Sequence, residues 1–139
     1  MSAPRQPGEL EEIPAEECLE LLRSVPWARV GFVAHDVPSI LPVTILLHEG
    51  CVYFRTAPGS KLGSAAGGNV VAIQADGGDP DTRLGWSVLV HGHASIVTDG
   101  ELEARLLALP LDSWTPPDDK AFWVGVTIDR VSGRRIAPA

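Results

Sequence analysis

Arg55, Thr56, Ser60 and Lys61 carry the clearest chemistry in this chain, in the run V-Y-F-R-T-A-P-G-S-K-L over residues 52–62. A guanidinium, two hydroxyls and an ammonium within seven positions form a donor set suited to a phosphate or another anion. Val52, Tyr53 and Phe54 favour a pleated, half-buried strand. Pro58-Gly59 favours a turn, and a short helix is expected over 60–66. The unpaired N–H groups at a helix start would add to the attraction for an anion. The run is not a Walker P-loop, because G-x-x-x-x-G-K-[ST] is absent. A plainer reading stands beside this one: Ser60 caps the helix while Arg55 and Lys61 point to water.

The other reactive side chains are less organised. His91 and His93 lie two apart on one expected strand face, but no third ligand follows at metal-site spacing, so no metal is expected. Their plainest role is a solvated or interface-facing pair, with a substrate contact as the sharper one. His35 and His48 fall at turns and read as surface residues. Ser60, Ser64 and Ser87 show no G-x-S-x-G elbow, and nothing suggests a hydrolase. Cys18 and Cys51 are far apart, form no C-x-x-C pattern and read as buried thiols. Glu9, Glu11, Glu12, Glu16 and Glu17 read as a solvated acidic face. No residue is singled out as a catalytic acid or base.

The elements that must position these residues follow from pattern and turn chemistry. With 139 residues and 45% hydrophobic content, one domain with a real core is expected, over residues 13–139 after a flexible or loosely docked arm at 1–12. A helix over 14–24 is followed by strands over 27–34, 39–48 and 51–56, with turns at 35–38 and at Glu49-Gly50. Pro42 cannot donate to a ladder, so its strand is an edge, a bulge or a docking place. Further strands are expected over 70–75, 86–97 and 121–128, with a polar loop over 76–83 and a helix over 101–109. A loop over 112–119 carries Trp114, and 131–133 turns into a short extended end. Short antiparallel strands at close spacing indicate a mainly β chain with short helices, a barrel or sandwich. In the strand over 86–97, Gly92 and Ala94 suggest that a backbone or ring comes close.

The formal charge of −7 argues against nucleic acid or an anionic membrane as a partner. No cationic segment followed by an apolar run opens the chain, and the longest strongly apolar run, residues 40–47, is too short to span a bilayer. A soluble, cytoplasmic protein is expected.

Three blocks in order, I-L-P-V at 40–43, F-R-T-A-P-G-S-K-L at 54–62 and G-W-S-V-L-V-H-G-H-A at 85–94, resemble the pyridoxamine 5′-phosphate oxidase-like family of FMN-binding split barrels, in particular its small bacterial branch. The resemblance spans roughly residues 19–136. It implies a six-stranded antiparallel Greek-key split barrel that forms a homodimer, with a flavin in each of two interface grooves. The family's phosphate site matches Arg55, Thr56, Ser60 and Lys61. Its isoalloxazine-contacting strand matches Leu41, Pro42 and Val43. Trp86 and Ser87 match positions that reach the flavin from the partner subunit, and Trp123 is a further aromatic wall.

The chain also departs from the vitamin-forming oxidases of that family. Their R-x-x-x-L-K motif is missing from the flavin-contacting strand. Their terminal R-L-A-P is R-R-I-A-P here, with Arg130 and Val131 at the two positions open to their preceding Trp. Pyridoxine and pyridoxamine phosphate are therefore not the expected substrates. The resemblance implies instead an FMN-dependent oxidoreductase acting on a small molecule, with reduced nicotinamide as a candidate electron donor. Its alternatives are a deazaflavin-dependent reductase and a non-enzymatic flavin- or haem-binding protein. Lys61 and Lys120 are the only lysines among eleven basic residues, and Ala, Gly and Pro are abundant, as in GC-rich bacteria where deazaflavin coenzyme is common. Arg29 and Arg83 are the further cations available to its anionic tail.

Overall fold

The computed structural model describes residues 8–65, 67–109 and 121–137. Among them are nine strands, β1 (Leu10–Glu12), β2 (Ala28–Ala34), β3 (Val37–Val43), β4 (Leu46–His48), β5 (Cys51–Thr56), β6 (Val70–Asp79), β7 (Leu84–Ile96), β8 (Phe122–Thr127) and β9 (Arg130–Ile136), and three helices, α1 (Ala15–Ser24), α2 (Lys61–Ala65) and α3 (Gly100–Ala108). Every strand pairing is antiparallel. One sheet runs β3-β2-β6-β7-β9-β1 and the other β7-β8-β5-β4, so β7 belongs to both. This is the mainly β, split-barrel architecture expected, with nine strands in place of six.

The extra strands have local causes. The apolar stretch over 39–48 is two strands: β3 pairs with β2 in one sheet and β4 with β5 in the other. The chain crosses between sheets just past Pro42, which cannot extend a ladder. β3 is an edge strand. Val37 and Pro38 belong to β3, because His35 and Asp36 turn the chain by themselves with φ of 51° and 62°, as a two-residue hairpin of the right twist requires. Residues 76–79 extend β6 where a polar loop was expected, leaving Pro80–Arg83 at the hairpin tip. Residues 130–136 are one strand, β9, paired with β7 and with β1, so residues 10–12 at the end of the N-terminal arm add a strand. The expected loop over 112–119, with Trp114, lies outside the described residues.

Strand alternation builds the core. Val88, Val90 and Ala94 of β7 face Val30, Phe32, Val52, Phe54, Ile73, Val124 and Val126, and α1 inserts Cys18 and Leu22 among them. Gly92 marks where β7 passes from β9 to β8: a Cβ there would lie 1.5 Å from the Thr127 carbonyl oxygen. The close approach expected at Gly92 is thus made by backbone. A second apolar cluster lies outside the barrel, where Leu106 of α3 packs on Tyr53 and Trp123. Burial first, and Cys51 beside it second, push the Tyr53 phenol up to about 12.

Candidate functional site

The turn from β5 into α2 brings the two hydroxyls together. Thr56 Oγ1 and Ser60 Oγ are hydrogen-bonded at 2.9 Å, and the Gly63 N–H donates to Ser60 Oγ, also at 2.9 Å. Ser60 therefore does cap α2, and it still has a hydroxyl proton to give. Gly63 belongs to this arrangement although nothing in the motif marked it. A Cβ there would lie 3.0 Å from Ser60 Oγ and 3.1 Å from Phe122 Cζ. Lys61 is exposed and forms no ion pair among the described residues. With only five residues, α2 is too short to supply an appreciable helix dipole, so side chains and not the helix end must attract an anion.

Arg55 leaves β5 on the other face. Strand alternation sends it to the side of Tyr53, and its guanidinium lies over the Trp123 ring, 5.6 Å from the centroid. Its Nε is buried with no hydrogen-bond acceptor among the described residues. Trp123 is only 3% exposed, and its ring is packed by the α3 cluster. Thus Thr56, Ser60 and Lys61 form one group, and Arg55 with Trp123 forms another on the opposite side of β5.

Leu41, Pro42 and Val43 lie across from Val30, Arg29 and Ala28 of β2. Leu41 and Val43 share the side of the core residues, and Pro42 faces outward beside Arg29. Arg29 is engaged there, with Nη1 donating to Gln74 Oε1 at 3.2 Å and lying 3.5 Å from Asp76 Oδ1. Arg83 is exposed at the hairpin tip with φ of 60°. Trp86 and Ser87 stand at the far end of β7 from the Thr56 group. β8 pairs its Val124 with Ile96 and its Phe122 with Thr56, whereas Trp86 pairs with Gly77 and Arg135. Ten residues of strand separate Trp86 from Ile96, a contour of ~33 Å.

No group of three or more metal-ligating residues occurs among the described residues. Instead His93 Nδ1–H donates to Asp129 Oδ2 at 2.7 Å, and the His93 backbone N–H donates to Thr127 Oγ1 at 3.0 Å. The hydrogen bond from His93, then that from Thr127, holds the Asp129 carboxyl below its ordinary range. Of the two terminal arginines, Arg135 is tied to Glu17 and lies 3.1 Å from Glu11 Oε1 with its Nε–H aimed off that oxygen. Arg134 is exposed, across from Ser87. Sequence reading missed both pairs, because each partner is remote along the chain and leaves no local pattern.

Comparison with known proteins assigns this arrangement to a family. Residues 14–135 match the family model described as pyridoxamine 5′-phosphate oxidase. An uncharacterized protein of Mycobacterium tuberculosis is 40% identical over 118 residues, 81% of this chain and 77% of its own. The FAD binding protein from Mycobacterium smegmatis superposes with a TM-score of 0.77 at 36% identity, over 90% of this chain and 96% of that one. A candidate pyridoxamine 5′-phosphate oxidase from Corynebacterium glutamicum gives a TM-score of 0.82 at 31% identity, over 99% and 98% of the two chains. The matched family, the shared split barrel and the β5–α2 turn within the matched segment agree: this chain belongs to the pyridoxamine 5′-phosphate oxidase-like family.

Proposed function

We propose that this protein is a homodimeric, cytoplasmic flavoprotein oxidoreductase that holds the phosphate of FMN at Thr56, Ser60 and Lys61. The observation that carries the reading is the paired Thr56 and Ser60 hydroxyls, followed directly in the chain by Lys61, which is exposed and has no ion pair among the described residues. Their donor chemistry fits a phosphate: the one O–H left over from the Thr56–Ser60 pair and a charged N–H donor would meet acceptor-only oxygens. Arg55 stands apart from this group, on the opposite side of β5 over Trp123, and its buried Nε has no acceptor among the described residues. Leu41, Pro42 and Val43 offer an apolar edge for the isoalloxazine ring. That the 36%-identical relative is an FAD binding protein supports a flavin and makes FAD the second cofactor to try.

A bound flavin supplies hydride transfer, and the protein supplies position, electrostatics and exclusion of water. Lys61 and Ser60 anchor the anionic end. No side chain of this site is assigned proton transfer.

The long strand path between Trp86 and Thr56 supports a dimer, since Trp86 and Ser87 then serve a flavin bound by the partner copy. The outer face of the larger sheet supports it as well. Ile40 is 70% exposed, Val33 58% and Val70 60%, and cross-strand pairing continues the Ile40 row through Gly31, Ala72 and His91. An apolar patch of this kind marks an interaction site, and Pro38 and Pro42 disfavour pairing through the β3 edge.

Titration of the purified protein with FMN, FAD and deazaflavin coenzyme, followed by fluorescence, tests the assignment. Saturable FMN binding, bleaching by reduced nicotinamide and reoxidation by a small acceptor are the expected results. Preference for deazaflavin coenzyme would change the cofactor and keep the site. Binding of none of the three overturns the proposal.

A further inference from the structure

Trp86 lies against a residue that the backbone does not require to be glycine. Beyond the pairing of β2 with β6 at 72–74 and of β9 with β7 from Trp86 onward, residues 78–79 and 84–85 pair only with each other, as a two-stranded ribbon. Gly77 sits at its base, directly across from Trp86. A Cβ on Gly77 would lie 2.8 Å from Trp86 Nε1, 3.0 Å from Cε2 and 3.2 Å from Cζ2. These are three consecutive ring atoms, so the indole edge is laid along the Gly77 backbone. The φ of Gly77 is outside the left-handed region, unlike those of Gly59 and Gly68, beside which a Cβ would meet nothing. Room for the ring, and not backbone conformation, therefore explains glycine at 77.

We propose that Gly77 is a positioning residue of the flavin site, acting through Trp86: the missing side chain lets the indole lie along the ribbon in the orientation that meets the flavin of the partner copy. The inference rests on the flavin reading given above. Trp86 is half-buried against the barrel end, which leaves part of the ring available for contact. A purely structural role is the competing account, since aromatic rings stabilise sheets by covering cross-strand glycines.

The test compares full-length wild type with Gly77→Ala, Trp86→Phe and the double variant, reading the FMN dissociation constant, the near-UV circular dichroism of the unliganded protein and its melting temperature. Gly77→Ala is expected to alter the tryptophan dichroism and weaken FMN binding about tenfold, the loss of one well-placed aromatic contact. Phenylalanine lacks the indole atoms that meet the new methyl. The double variant should therefore bind within about threefold of Trp86→Phe alone, a coupling that independent residues would not show. Unchanged FMN affinity in Gly77→Ala, or losses that multiply in the double variant, overturns the inference while leaving the flavin site intact. Failure of the wild type to bind any flavin overturns both. If Gly77→Ala does not fold, the double variant decides: recovery of folding and FMN binding supports the inference, and renewed failure shows that glycine serves the ribbon itself.

Discussion

At the scale of single residues, the contact between Thr56 and Ser60 sets the proton arrangement of the site. Ser60 Oγ already accepts the Gly63 N–H, and one of the two hydroxyl protons closes the Thr56–Ser60 contact, which leaves the other to donate outward. Lys61 adds a charged donor that meets no carboxylate among the described residues. Lys61→Ala is expected to weaken FMN binding ten- to hundred-fold, from about 1.5–3 kcal/mol for a charge-assisted contact, with no change in melting temperature. Equal affinity in that variant would sink the phosphate assignment. Asp129 carries a pH prediction. Its carboxyl is held below the ordinary 3.8 by His93 and then Thr127. A depressed folded-state value stabilises the fold above the ordinary value, and this contribution is lost as pH falls through the lowered one. The urea midpoint of Asp129→Asn should thus fall below wild type at pH 7, and the gap should close on acidification below about pH 4. A gap that persists at pH 2 would argue against the Asp129 carboxylate as its source.

At the scale of elements, β7 decides how the barrel is built. Over thirteen residues it pairs with β6 through its first ten, with β9 from Trp86 to His91 and with β8 through its last three positions. The hand-over occurs at Gly92, where the Thr127 carbonyl occupies the space of a side chain. Backbone cannot yield as a rotamer does, so Gly92→Ala should cost about 3 kcal/mol or more and lower the yield of folded protein. Ordinary solubility and an unchanged urea midpoint in that variant would refute the crossing. α1 meets the sheet in a similar way: a Cβ on Gly133 would lie 2.6 Å from Cys18 Sγ. Burial pushes the Cys18 thiol up, so a water-soluble thiol reagent should leave Cys18 unmodified in the native protein and modify it in urea. Most of these elements were legible in the sequence, because alternation and turn residues are local. The split of residues 39–48 was not, since two successive apolar strands and one long one share the same pattern.

At the scale of the molecule, the anion group and the Trp86 ribbon lie at opposite ends of β7, and in the proposed dimer a second copy brings them to one ligand. Ile40→Lys should leave the far-ultraviolet circular dichroism unchanged, because Ile40 is exposed and outside the core. In the proposed dimer it places a charge in an apolar interface, so light scattering should read a monomer and FMN affinity should fall together with the dimer. A dimeric, FMN-competent Ile40→Lys would move the interface to another face. The ties of Arg135 to Glu11 and Glu17 also belong to this scale, since they fasten β9 to β1 and α1.

The sequence by itself determined the class of fold, the Glu49-Gly50 hairpin, the missing ladder donor at Pro42 and the polar run from Arg55 to Lys61. Each depends on interactions within a few residues: side-chain alternation, turn conformations and the missing donor of proline. Tertiary structure alone decided that Arg55 joins Trp123 rather than Ser60, that β7 serves two sheets, that His93 takes Asp129 and that Arg135 takes Glu17, 118 positions away. Those outcomes depend on which strands become neighbours and which face each side chain is left on. Loop closure and whole-sheet packing set them, and neither writes a local pattern into the chain.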